Sequence, residues 1–101
     1  MVNLNKETAE RYLSNVPEQN RFWCNDGSVF ANLVELARGL ESMNVETFSF
    51  HSNKEKNDFS SWIYDIIGDT DLANSLRNCN DKKAAEKRVR SRIAELKRIA
   101  A

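Results

Sequence analysis

The sequence predicts an all-α protein: one compact domain over residues 1–101, a bundle of about six helices, two of them short. Three observations predict it. Apolar residues recur every three to four positions in successive segments, the period of a helix with one buried face. Most of those segments open on Asn, Asp, Ser or Thr, whose side chains cap helix N-termini. Gly and Pro are scarce, three and one in 101 residues, whereas sandwiches and barrels use many of both in their turns. A chain of this length closes one core without needing a disulfide or a metal.

The first helix is predicted over Lys6 to Val16, where Ala9, Tyr12, Leu13 and Val16 fall at i, i+3, i+4 and i+7. Asn5 caps it, Glu7 suits its first turn, and Pro17 stops it. Between Glu18 and Gly27 periodicity decides nothing, because Phe22-Trp23-Cys24 reads equally well as extended chain or as a helical turn. Asn25-Asp26-Gly27-Ser28 reads as a turn, with Asp26 or Ser28 capping the helix that follows. That helix is predicted over Ser28 to Met43, its stripe formed by Val29, Leu33, Leu36, Ala37 and Leu40 and widened by Phe30. Gly39 costs about 1 kcal/mol against Ala inside a helix and reads as the mark of a close helix–helix contact.

Asn44 caps a short helix from Val45 to about His51, followed by a polar loop over residues 52–57. Asn57 or Asp58 then caps a helix whose apolar face holds Phe59, Trp62, Ile63, Ile66 and Ile67, ended by Gly68. Thr70 is the expected cap of a short helix from Asp71 to Arg77. Asp81 caps the last helix, Lys82 to about Ile99, which buries Ala85, Val89, Ile93, Leu96 and Ile99.

The residues Phe22-x-x-x-Asp26-Gly27, Leu33-x-x-Leu36-x-x-x-Leu40, Phe48-x-x-His51, Asn57-Asp58-Phe59-x-x-Trp62-Ile63 and Asp69-x-x-Leu72-Ala73 carry a resemblance. Together they resemble a family of small helical domains of unknown function from archaea and bacteria, found alone or attached to larger proteins. The resemblance spans about residues 22–96, and its most specific piece is Asn57-Asp58-Phe59-x-x-Trp62. It implies a helical prokaryotic domain, and it brings no activity, cofactor or catalytic residue with it.

His51 is the only histidine. It falls at the end of a short helix, where an imidazole meets free carbonyls, and no Ser or Cys stands beside it at the spacing of a nucleophile. If the polar loop folds back, Asp58 orients the His51 ring or caps the next helix. Capping by Asn57 and Asp58, with Phe59 and Trp62 in the core, is the plain structural reading. The alternative is a small partner or ligand cleft made by His51, Asp58, Trp62 and Trp23. In Arg21-Phe22-Trp23 one aromatic is expected to stay partly exposed, since Arg-flanked aromatics are common at interfaces. Asp65, Asp69 and Asp71 lack the EF-hand order, and Asp69 and Asp71 near a helix start read as caps and dipole partners. No metal, cofactor or catalytic set is therefore assigned, and the chain does not read as an enzyme.

The zero net charge hides an asymmetry. Residues 1–81 hold seven basic and thirteen acidic side chains, and residues 82–101 hold eight basic and two acidic. Lys83, Lys87, Arg90 and Lys97 are the candidate phosphate contacts of a nucleic-acid reading that uses residues 82–98. A pI of about 6.6 and an acidic body favour instead a solvated helix face paired across the domain. No apolar run is long enough for a membrane, and Met1 to Glu7 do not resemble a secretory leader. Cys24 and Cys79 form no Cys-x-x-Cys pair and read as free thiols of the cytoplasm. The expectation is a prokaryotic protein-interaction or regulatory module whose partner is another protein, with nucleic-acid association as the alternative.

Overall fold

Six α-helices form close to the expected places: α1 Lys6–Leu13, α2 Leu33–Ser42, α3 Val45–His51, α4 Asp58–Trp62, α5 Thr70–Leu76 and α6 Lys82–Ala100. They come from a computed structural model that describes residues 4–101. The leader reading of the N-terminus therefore rests partly on residues 1–3, outside the described residues. Each helix opens on an Asn or Asp whose side chain accepts a hydrogen bond from a backbone N–H of the first turn. These caps are Asn5, Asn32, Asn44, Asn57, Asp69 and Asp81. Each satisfies a donor that the helix itself leaves unpaired. Two caps differ from expectation. Asp69 rather than Thr70 caps α5, and Asn32 rather than Asp26 or Ser28 caps α2.

The second difference has a structural cause. Residues 22–30 form an antiparallel hairpin, β1 Phe22–Trp23 and β2 Val29–Phe30, with Phe22 opposite Phe30 and Trp23 opposite Val29. The domain is helical but not strictly all-α, and the helix predicted from Ser28 begins only at Leu33. Gly27 turns the chain at φ +94°. Asp26 accepts from the Ser28 N–H at 2.9 Å, and the Cys24 N–H donates to Ser28 O at 2.8 Å. Val29 then faces solvent and Phe30 the core, which is strand alternation rather than the start of a helical stripe.

Gly39 does mark a close contact, but with the hairpin rather than with another helix. A Cβ at this position would lie 2.1 Å from the Phe30 Cζ. Gly39→Val is expected to destabilise the domain by about 1–3 kcal/mol, because the Phe30 ring is held in a packed core and must move. The urea midpoint, with its slope unchanged, checks this.

The core gathers Leu33, Leu36 and Leu40 from α2, Phe48 from α3, Phe59 and Ile63 from the α4 segment, and Val89 and Leu96 from α6. Helix α6 lies along α1 and α2 and also meets α5. Helix α4 continues into a π-helical segment, Ile63–Ile67, closed by the Gly68 N–H on Ile63 O at 2.7 Å. Gly68 supplies the left-handed conformation that ends it, at φ +90°. The wider turn buries Ile63 and Ile67 and leaves Ile66, expected on the buried face, half-exposed. No helix among the described residues is long and apolar enough to cross a membrane.

Arg92 and Asp69 tie α6 to the start of α5. Both oxygens of the Asp69 carboxylate, 1% exposed, accept from the guanidinium, at 2.7 and 2.8 Å. The Asp69 hydrogen bonds hold the Arg92 proton more firmly than usual, against the opposing effect of burial, and Glu95 adds to the hold. Arg92 is thus taken up by this pair. Of Asp69 and Asp71, only Asp69 caps the helix, and Asp71 makes a long contact of 3.9 Å to Arg92.

Candidate functional site

His51 sits in a box of rings. Phe22 meets it edge-on with centroids 5.1 Å apart, Phe50 does so at 5.0 Å, and Phe59 tilts against it at 5.4 Å. Both ring nitrogens are engaged inside this box. The Asn25 backbone N–H donates to Nε2 at 2.9 Å, so Nε2 is the acceptor and the ring proton lies on Nδ1. Nδ1–H donates to the Asp58 Oδ2 at 2.9 Å. Asp58 does orient the ring, and it is Asn57 that caps α4. The imidazole is a strut that joins the hairpin turn to the α4 N-terminus. Two-dimensional long-range ¹H–¹⁵N NMR is expected to show the Nδ1–H tautomer, the minor form of free imidazole; an Nε2–H tautomer would break the strut.

Lys56 closes the outer side of the box. Its Nζ lies 2.9 Å from Asp58 Oδ2 and 4.7 Å from the centre of the Phe50 ring. Burial alone would raise the Asp58 carboxyl, but hydrogen bonds from Lys56 and His51 outweigh it and bring it below the ordinary aspartate range. A carboxyl depressed by folding stabilises the fold above its unfolded value and loses that contribution as the pH falls through the folded value. The stability difference between wild type and Asp58→Asn is therefore expected to be constant near neutrality. It should shrink below the ordinary aspartate range, as measured by urea unfolding across that window.

The residues of Asn57-Asp58-Phe59-x-x-Trp62 each fasten a different piece. The Asn57 amide also donates to Leu76 O at 2.7 Å, satisfying a carbonyl at the end of α5. Phe59 stacks on Phe22 and Phe48. The Trp62 indole N–H donates to Asn20 O at 2.8 Å, pinning the 3₁₀ turn Glu18–Asn20 that leads into β1. His51 with Asp58 thus holds the turn of the hairpin, and Trp62 holds the chain that enters β1, while Trp23 stands apart from them. His51 and Trp62 are buried, whereas Trp23 is 68% exposed.

The hairpin separates its faces by strand alternation. Phe22, Cys24 and Phe30 point into the core; Trp23 and Val29 pair across the outer face. Arg21, extended just before β1, is half-buried. The expectation that one aromatic of Arg21-Phe22-Trp23 stays exposed is met by Trp23. The roles of Val29 and of the Asn25 N–H escape the sequence reading, although Asp26-Gly27 between apolar residues is a hairpin signal.

The basic residues of α6 divide into two sets. Lys82 caps the end of α2 through Leu40 O and Glu41 O, at 2.9 and 3.1 Å. Arg88 donates to Ser75 O, and Arg92 holds Asp69. Lys83, Lys87, Arg90 and Lys97 do share one exposed side of the helix, as their spacing requires. Arg90 pairs with Glu86 at 2.7 Å and with Glu41 at 3.3 Å. Among the described residues Lys83, Lys87 and Lys97 take part in no ion pair.

Cys24 and Cys79 are free and buried, and burial raises the Cys24 thiol above its ordinary value. Among the described residues no cluster of His, Cys, Asp and Glu is arranged to hold a metal ion. Residues 16–98 match the model of a family described as a family of unknown function, DUF5752. This is somewhat longer than the 22–96 span of the resemblance. No curated protein and no solved structure matches the chain.

Proposed function

The chain belongs to the family of unknown function DUF5752, and we propose that it works as a protein-recognition module, reading its partner with Trp23. The observation that carries this reading is the exposure of Trp23, 68%, between two core residues that are 6% and 7% exposed. Tryptophan and arginine dominate the binding energy of interfaces because a large rigid ring, once covered, releases much water at little entropic cost. Here the ring is presented on a strand whose other face is anchored by Phe22, and its turn is held by His51 and Asp58. The partner meets a preformed surface, which lowers the ordering cost of association.

An enzymatic reading through His51 and Asp58 has little chemistry to draw on, since both imidazole nitrogens are occupied, Nε2 by a backbone N–H and Nδ1 by the Asp58 carboxylate. Nucleic-acid association through residues 82–98 is the alternative, drawing on the exposed Lys83, Lys87 and Lys97. The setting we propose is the prokaryotic cytoplasm, in keeping with the two free thiols. Affinity capture with the whole chain as bait tests the reading. Proteins retained by wild type and lost with Trp23→Ala, at unchanged stability, support it; an identical set from both baits overturns it.

A further inference from the structure

We propose that the groove between α2 and α6 is a second recognition site, and that its occupant is an acidic amphipathic helix of a partner protein. The groove measures about 230 Å³. Its floor is apolar: Val34 and Ala37 from α2 meet Ile93 and Ala94 from α6. The two alanines keep the trough open where larger side chains would fill it. Its rim is basic, formed by Arg90 and Lys97, and no carboxylate lines it. Lys87 and Lys83 continue the same positive stripe along the helix.

The combination selects the occupant. An apolar floor needs a row of side chains that leave water on binding, which a helix supplies at i, i+3, i+4 and i+7. A sugar–phosphate backbone offers charge without that row. Arg90 and Lys97 stand two turns apart on α6, roughly 10 Å, a spacing that Glu residues flanking the apolar row of an incoming helix reproduce. The Arg90 pair with Glu41 is solvent-exposed and exchanges for a new carboxylate at little cost, while the half-buried Glu86 stays on the Arg90 Nε. A second copy is a poor occupant, since it brings the same positive stripe against this one. This surface is separate from the hairpin, so either site can fail without the other.

The probe is a designed helical peptide of about 18 residues, with Leu at i, i+3, i+4, i+7 and i+11 and Glu at the flanking positions. It is titrated into the ¹⁵N-labelled whole chain at low and moderate salt. Expected are amide shifts at Val34, Ala37, Ile93 and Ala94. Binding should weaken about tenfold or more with Lys97→Glu or Ala94→Glu and be unchanged with Trp23→Ala. Residues 94 and 97 are exposed, and circular dichroism checks that both variants fold. A peptide of the same composition with its apolar row scrambled must bind at least about tenfold more weakly. Equal binding of the scrambled peptide, shifts elsewhere, no shifts, or stronger binding of mixed-sequence duplex DNA to the same face would each overturn the proposal.

Discussion

Arg92→Met is expected to lower the unfolding free energy by about 3–5 kcal/mol, because it leaves the buried Asp69 carboxylate without its cation. The magnitude follows from the geometry. Asp69 is 1% exposed, both its oxygens lie on the guanidinium, and Oδ1 also caps α5 through the Leu72 N–H at 3.2 Å. A domain of this size has about 5–15 kcal/mol in total, so the loss is a large share and a thermal melt falls by more than about 10 °C. The reciprocal change is milder. Asp69→Asn keeps a cap oxygen, and Arg92 keeps Glu95 at 2.7 Å. The double variant Asp69→Asn with Arg92→Met is expected to recover part of the loss, since no charge is then left buried alone. A urea-unfolding double-mutant cycle measures this coupling, and a coupling near zero would show that the pair contributes only as packing.

Phe22→Ala is expected to cost about 3–5 kcal/mol, whereas Trp23→Ala, one residue on, stays within about 0.5 kcal/mol. Phe22 contacts the rings of Phe30, His51, Phe59 and Trp62 at centroid distances of 5.1 to 5.9 Å. Its removal opens a cavity at the point where the hairpin joins the helices. Trp23 has its ring in water. Urea unfolding of the two variants, followed by far-ultraviolet circular dichroism so that loss of the indole does not alter the readout, checks the contrast. Comparable costs at both positions would mean that the Trp23 ring packs on the domain rather than serving a partner.

Much of this fold was legible in the sequence because the signals were local. The stripes of α1 and α6, the Asn44, Asn57 and Asp81 caps and the Gly68 stop each depend on residues within two turns of one another. The hairpin was not legible as such. Val29, Leu33, Leu36 and Leu40 fit a helical period by coincidence, and the strand alternation of Val29 and Phe30 is too short to compete with it. What decides the matter is tertiary: the Phe30 ring lies against Gly39, where no side chain intervenes. Thr70 and Asp69 are equally good caps on sequence grounds, and the long-range partner Arg92 accompanies the choice of Asp69.

The candidate site was legible in part for the same reason. One loop separates His51 and Asp58 in the sequence, and they do meet. Residue type alone groups Trp62 and Trp23 with them, yet the strand alternation at residues 22–24 turns Trp23 away from the core that holds Trp62. The eight basic residues of the last helix divide in use, because Lys82, Arg88 and Arg92 are held by α2, Ser75 O and Asp69, and such carbonyl and carboxylate partners leave no mark at helical spacing. Asp58 (through His51), Phe59 and Trp62 brace the hairpin from behind, and the hairpin holds Trp23 and Val29 outward.

Site-specific photo-crosslinking in cells tests that reading most directly. A benzophenone side chain replaces Trp23 in one sample and Val45 in another, Val45 being 63% exposed on α3 and serving as the control. The account predicts discrete crosslinked proteins from position 23 that are missing from position 45. No crosslink at position 23, or the same products from both positions, would contradict it.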